Sequence, residues 1–130
     1  MILDTSAIIA ILNDEPEAPV FAELIEVTDE VAISVATVLE ASLVVGPFRQ
    51  ELLDEFLAVA RARHMPVDIE QLQVARSAHL RFGRGSGSTA RLNYGDCFSY
   101  ALAATAGQAL LFKGSDFGQT DVAVATLPAG

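Results

Sequence analysis

The sequence predicts an α/β fold, a three-layer α/β/α sandwich around a central parallel sheet of about five short strands. Three observations carry this reading. Short aliphatic, β-branched runs alternate along the chain with longer stretches of helical periodicity, the pattern of successive βαβ units. Those runs are apolar throughout, as strands buried on both faces are. The 130 residues, 52% hydrophobic, suit one compact domain over 1–130 with its own core.

The elements follow in order. Residues 1–3 read as a buried strand and 7–12 as an apolar helix, with Asp4, Thr5 and Ser6 between them. A carboxylate placed there lies at the C-terminal edge of the sheet, where open α/β folds bind ligands. It is also a natural helix N-cap. Residues 13–16 form a turn, with Pro16 suited to a first helical turn. Val20, Phe21, Leu24 and Ile25 then give helical spacing over 17–27. Residues 31–34 are a second buried strand, followed by a helix over 35–45 that Gly46-Pro47 ends.

An amphipathic helix is expected over 49–64, with Leu52, Leu53, Phe56, Leu57 and Ala60 inward, then a very short strand over 65–67. Asp68 caps a helix reaching about Phe82, with Leu72, Val74, Ala75 and Leu80 inward. Residues 83–88, GRGSGS, are the one low-complexity stretch and read as a mobile surface loop. Asn93 caps a helix over 94–106, which Gly107 stops. Residues 109–112 give a fourth strand, 113–117 a loop, and 122–125 a fifth, edge strand. There is no internal repeat.

The net charge of −9 is unevenly spread. Residues 1–60 carry twelve acids against Arg49 alone, whereas residues 61–94 carry six arginines against Asp68 and Glu70. The acidic total argues against loose electrostatic attachment to nucleic acid, but leaves room for a local arginine-lined path. The single cysteine, Cys97, excludes an internal disulfide and a multi-cysteine zinc site. No apolar run is long enough to span a bilayer. The N-terminal run is broken at Asp4 with no basic segment before it, so it makes a poor signal peptide. A cytoplasmic location and no membrane association are expected.

Three apolar tracts each hold one carboxylate and no other charge: residues 1–13 with Asp4, 31–48 with Glu40 and 92–112 with Asp96. A lone buried acid is costly without a partner. Local roles exist for two of them, since Asp4 can cap a helix and Asp96 can favour a helix dipole. The topology offers another account. Asp4 ends the first strand, Asp96 opens the helix that leads to the fourth, Asp116 follows that strand, and Glu40 leans over the same edge from its helix. Four carboxylates gathered there would raise one another's pKa. A divalent cation resolves the repulsion, and all-oxygen ligands select Mg²⁺ or Mn²⁺ over zinc. Such a site suits phosphodiester hydrolysis, in which the metal activates water and stabilises the leaving oxygen. Thr5 and Ser6 are supporting hydroxyls for a carboxylate, a water or the phosphate.

The set Asp4-Thr-Ser-Ala, Glu40 in the helix after the second strand, Leu92-Asn-Tyr-Gly-Asp96 and Gly114-Ser-Asp116-Phe resembles the PIN domain. More narrowly it is similar to the VapC toxins of type II (VapBC) toxin–antitoxin pairs. The motifs run from residue 4 to residue 117 in the family's order and spacing. The resemblance implies an endoribonuclease that cleaves transfer or ribosomal RNA to inhibit translation and growth. It implies a Mg²⁺ cofactor with Mn²⁺ as substitute, and Asp4, Glu40, Asp96 and Asp116 as catalytic and metal-binding residues. It also implies a homodimer and neutralisation by a cognate VapB-type antitoxin. Many relatives carry a second acid where this chain has Ser115, so the fourth corner rests on Asp116, with Asp121 as a possible helper.

Two other classes fit parts of the pattern. A receiver-like phosphoacceptor module also gathers carboxylates and Mg²⁺ at such an edge, but this chain has no adjacent acidic pair after the first strand. A non-catalytic α/β binding domain would use the same acids only as caps. Arg84 and Arg91, flanking the glycine-rich stretch, are the candidate RNA contacts. Cys97 reads as core, and His64 and His79 as surface residues on polar helix segments.

Overall fold

The computed structural model describes residues 1–129. Strands β1 (Ile2–Leu3), β2 (Ala32–Ser34), β3 (Arg63–Met65) and β4 (Leu110–Leu111) form one sheet in the order β3-β2-β1-β4, and all pairings are parallel. The described residues also form six helices, α1 (Thr5–Leu12), α2 (Ala18–Val27), α3 (Val35–Val45), α4 (Gln50–Val59), α5 (Ile69–Phe82) and α6 (Tyr94–Ala106), with a 3-10 turn at Phe117–Gln119.

Strand alternation divides the core into two layers. Leu3, Ile33 and Leu111 point to one face and pack with Ala7, Ile8, Phe21, Ile25, Ala41, Leu53 and Leu57 of α1 to α4. Ile2, Ala32 and Leu110 point to the other, with Ala78 of α5 and Cys97, Tyr100, Leu102 and Ala103 of α6. Both faces are therefore covered at β1, β2 and β4, which is why those strands carry no polar alternation. Among the described residues, no helix is long and apolar enough to cross a membrane.

The order of strands positions the site. From β1 the chain steps outward to β2 and then β3, and afterwards crosses back to lay β4 on the other side of β1. The reversal falls between β1 and β4, and the crevice beyond their C-terminal ends is the natural ligand position in such sheets. Asp4 leaves β1 there, its backbone N–H still bonded to the carbonyl of Leu111 at 3.0 Å.

Four expectations need correction. The helix expected over 49–64 ends at Val59, and residues 63–65, not 65–67, form β3. Arg61, at φ +53°, turns the chain between them. An edge strand with Arg63 and His64 exposed carries no apolar signature, so its polarity passes for the outer face of a helix. His64 accordingly lies on a strand. Pro66 follows immediately and supplies no ladder donor.

On α5 the inward face is set by Gln71 and Ala78, while Leu72 and Leu80 are 46% and 70% exposed. Ala78 packs against Cys97, Tyr100, Leu102 and Ala103, and Gln71 turns inward to donate from Nε2 to the Pro66 carbonyl at 3.0 Å. Pro16 precedes α2, and Pro19 takes the early helical position instead. The fifth strand is reduced to a single parallel bridge between Leu110 and Val124, held by Leu110 N–H to Ala123 O at 2.9 Å and Ala125 N–H to Leu110 O at 3.0 Å.

Candidate active site

Asp4 is 2% exposed and every contact of its carboxylate is hydroxyl or amide. As N-cap of α1 its Oδ2 accepts from the Ser6 N–H at 3.0 Å and the Ser6 hydroxyl at 2.6 Å. Its Oδ1 accepts from the Ser99 hydroxyl of α6 at 2.6 Å. Ser99, fully buried, lies 3.2 Å from the hydroxyl of Thr37 on α3. Ser6 also accepts from the backbone N–H of Lys113 at 3.0 Å, which ties the loop after β4 to the start of α1. Capping and site roles coincide in Asp4.

Glu40 is held from two sides. The Thr5 hydroxyl donates to its Oε1. On the other side its carboxylate lies against the bare Cα of Gly95 in α6, where a Cβ would overlap Oε2 outright and stand 2.7 Å from Oε1. Asp96, next along, forms a capping box: its backbone N–H donates to Asn93 Oδ1 at 2.9 Å, and its Oδ2 accepts from the Asn93 N–H at 2.9 Å.

Burial pushes the Asp96 carboxyl up to about 6, against the Asn93 hydrogen bond that lowers it, and the charges of Asp4, Glu40 and Asp116 raise it further. The three other acids therefore all act electrostatically on Asp96. They do not touch: among the described residues, no three His, Cys, Asp or Glu side chains converge as a ready-made metal cage. The donor set is nevertheless all oxygen, uncompensated and anchored at Asp4 and Glu40, which fits a hard divalent cation.

The remaining candidates divide. Asp116 is exposed on the loop before the 3-10 turn. Asp121 accepts from the Tyr100 hydroxyl and pairs with Arg81 at 3.0 Å, so the structure does not bring it to the group as a helper. Its own pKa falls because of the Tyr100 and Arg81 bonds, while burial first and then Asp121 push the Tyr100 phenol up to about 12. Ser115 is exposed. Arg84 and Arg91 stand at the rim of a pocket that also includes Asp116. Cys97 is buried and its thiol contacts the Asn93 carbonyl, as a core residue.

Sequence reasoning missed Ser99, Thr37 and Gly95. The first two left one signal: hydroxyls inside apolar helices, in the same tracts as Asp96 and Glu40. Gly95 left none, because glycine in a helix's first turn is not unusual.

A sequence model described as the PIN domain matches residues 1–123. The chain belongs to the PIN-domain family. Ribonuclease VapC28 of Mycobacterium tuberculosis is 46% identical over 126 residues, 94% of this chain and 95% of that protein. Ribonuclease VapC30 of the same species is 43% identical over 132 residues, 98% and 100% of the two chains. Among solved structures, M. tuberculosis VapC20, titled a sarcin-ricin loop cleaving toxin, matches this PIN domain with a TM-score of 0.72 at 16% identity over 98% of each chain. FitAcB from Neisseria gonorrhoeae gives 0.71 at 23% identity over 96% of each. At those identities the structures speak for the fold alone.

Proposed function

We propose that this chain is a metal-dependent endoribonuclease that serves as the toxin of a toxin–antitoxin pair, with Asp4, Glu40, Asp96 and Asp116 as its catalytic acids. What supports the reading most is that Asp4, Glu40 and Asp116 all act electrostatically on Asp96, in a chain 43–46% identical to ribonucleases named VapC. A Mg²⁺ or Mn²⁺ ion held by those oxygens would neutralise a phosphate and lower the pKa of a bound water.

The chain's own residues prepare the rest. Ser6 and Ser99 hold both Asp4 oxygens, so the carboxylate does not reorient as charge builds beside it. Thr5 fixes Glu40. Asn93 holds one Asp96 oxygen and leaves the other free for coordination. Such preorganisation lets fixed groups stabilise charge without reorganising during the reaction. The substrate is RNA, with transfer or ribosomal RNA as the class, and the partners are a VapB-type antitoxin and a second copy of the chain.

Incubation of the purified chain with total RNA and Mg²⁺ or Mn²⁺, followed by mapping of new 5′ ends, tests the proposal. Discrete cleavage is expected, lost with excess EDTA and in Asp96→Asn. Cleavage by Asp96→Asn at the wild-type rate would refute the mechanism. A receiver-like module would instead take phosphate onto an aspartate from a small phosphoryl donor.

A further inference from the structure

Residues 83–92 form a closed loop rather than a slack linker. Gly83 and Leu92 make a parallel bridge, with Leu92 N–H to Phe82 O at 2.8 Å and Arg84 N–H to Leu92 O at 3.1 Å. Inside it, the Ser86 hydroxyl donates to the Gly83 carbonyl at 2.6 Å and accepts from the Ser88 N–H at 3.2 Å. Gly85 and Gly87, at φ +85° and +88°, make the reversals. Arg84 and Arg91 therefore stand at the two feet of the loop, side by side. Arg91 itself adopts φ +53°, a conformation uncommon for a residue with a side chain.

The two arginines line a pocket of about 630 Å³ together with Gly85, Gly87, Ser88 and Asp116. In a chain of net charge −9, cations are scarce, and two of them are engaged, Arg81 with Asp121 and Lys113 with Glu15 and Glu17. Among the described residues, neither Arg84 nor Arg91 has a carboxylate within ion-pair distance or a side-chain hydrogen bond. Two unengaged planar forks in one pocket suit a phosphate, which accepts bidentate hydrogen bonds.

We propose that this pocket is a phosphate subsite for RNA, in which Arg84 and Arg91 hold a phosphodiester neighbouring the one engaged at the carboxylates. The proposal rests on the ribonuclease reading above. Asp116 is the shared wall: it belongs to the acidic group through its effect on Asp96 and to this pocket through its position. Its charge opposes a free anion, so the pocket favours a phosphate belonging to a strand already engaged at the crevice. The subsite gives the acidic chain a local grip on a polyanion, and it fixes on which side of the cleaved bond the strand is held.

The test measures binding of a fluorescently labelled single-stranded RNA by anisotropy across a NaCl series. Asp96→Asn is the uncleaving parent, and Arg84→Ala and Arg91→Gly are added singly and together. Glycine at 91 accepts the positive φ, so a loss there reports the guanidinium and not the backbone. Each variant is expected to bind about tenfold more weakly near 0.1 M salt, and to lower the slope of log affinity against log salt by about 0.7 per lost phosphate contact. In the cleaving background the same changes should raise KM more than they lower kcat. If the wild type cuts RNA but the variants keep its affinity, slope and KM, the subsite is refuted while the ribonuclease reading stands. If the wild type neither cuts nor binds RNA, both fall. Arginine-dependent binding of a polyglutamate peptide, with RNA binding unchanged, would assign the pocket to a protein partner and also refute it.

Discussion

Gly95→Ala separates the site from the fold more cleanly than any change to an acid. The new Cβ would overlap the Glu40 carboxylate, whereas the backbone at 95 is helical and accepts alanine. Glu40 is the flexible partner and must move, losing the bond from Thr5. A hydrogen bond to a charged group is worth about 1.5–3 kcal/mol, less here because the Thr5–Glu40 bond is only part-buried. Replacing glycine by alanine in a helix returns up to about 1 kcal/mol. The two effects nearly cancel, so the melting temperature should shift by only a few degrees. Cation binding should not cancel. Displacing one ligand or its support costs about 10–100-fold in affinity, readable by calorimetry with Mn²⁺, with a matching loss of RNA cleavage. Glu40→Asp in the same chain withdraws the carboxylate by one methylene and makes room for the methyl group. The double variant should therefore bind Mn²⁺ better than the Gly95→Ala single variant. Wild-type Mn²⁺ affinity in Gly95→Ala, or no recovery in the double variant, would refute the idea that Gly95 seats Glu40.

Three further outcomes follow from the same geometry. Ser99→Ala strips a buried donor from Asp4 Oδ1 and should cost about 1–3 kcal/mol in denaturant unfolding, together with weaker Mn²⁺ binding. The Asp96 carboxyl, raised in the folded state from 3.8 to about 6, favours folding at low pH and loses that contribution as pH rises through 6. At full strength the displacement is worth ~3 kcal/mol, and solvent screening of this part-exposed group leaves ~1–2; melts without divalent ions at pH 4.5 and 7.5, a window that spans about two-thirds of the effect, should show the wild type losing about 1 kcal/mol relative to Asp96→Asn. Leu53→Ala, in the core beneath α3 and α4, should cost about 2–5 kcal/mol in stability without touching the acids, and its melting point checks the packing.

What the sequence disclosed follows from where each signal is local. The buried strands β1, β2 and β4 were readable because both faces are covered, so their composition alone declares them. The caps at Asp4, Asp68 and Asn93 were readable because capping acts within three residues. β3 was not, since an edge strand with exposed Arg63 and His64 depends on pairing with β2, and pairing leaves no trace in a short polar run. The face of α5 failed for a related reason: Ala78 faces the core by packing on α6 and Gln71 by its bond to the Pro66 carbonyl, while the larger leucines stay outside. The site divides along the same line. Asp4, Glu40 and Asp96 stood out because a lone acid in an apolar tract is conspicuous wherever the tract folds. Ser99 and Gly95 act on acids of other elements, across 95 residues of chain for Asp4 and from α6 to α3 for Glu40. A hydroxyl and a missing methyl group carry no sign of their partner. The charged groups of this crevice are thus written in the sequence, and the neutral groups that aim them emerge only when the chain is folded.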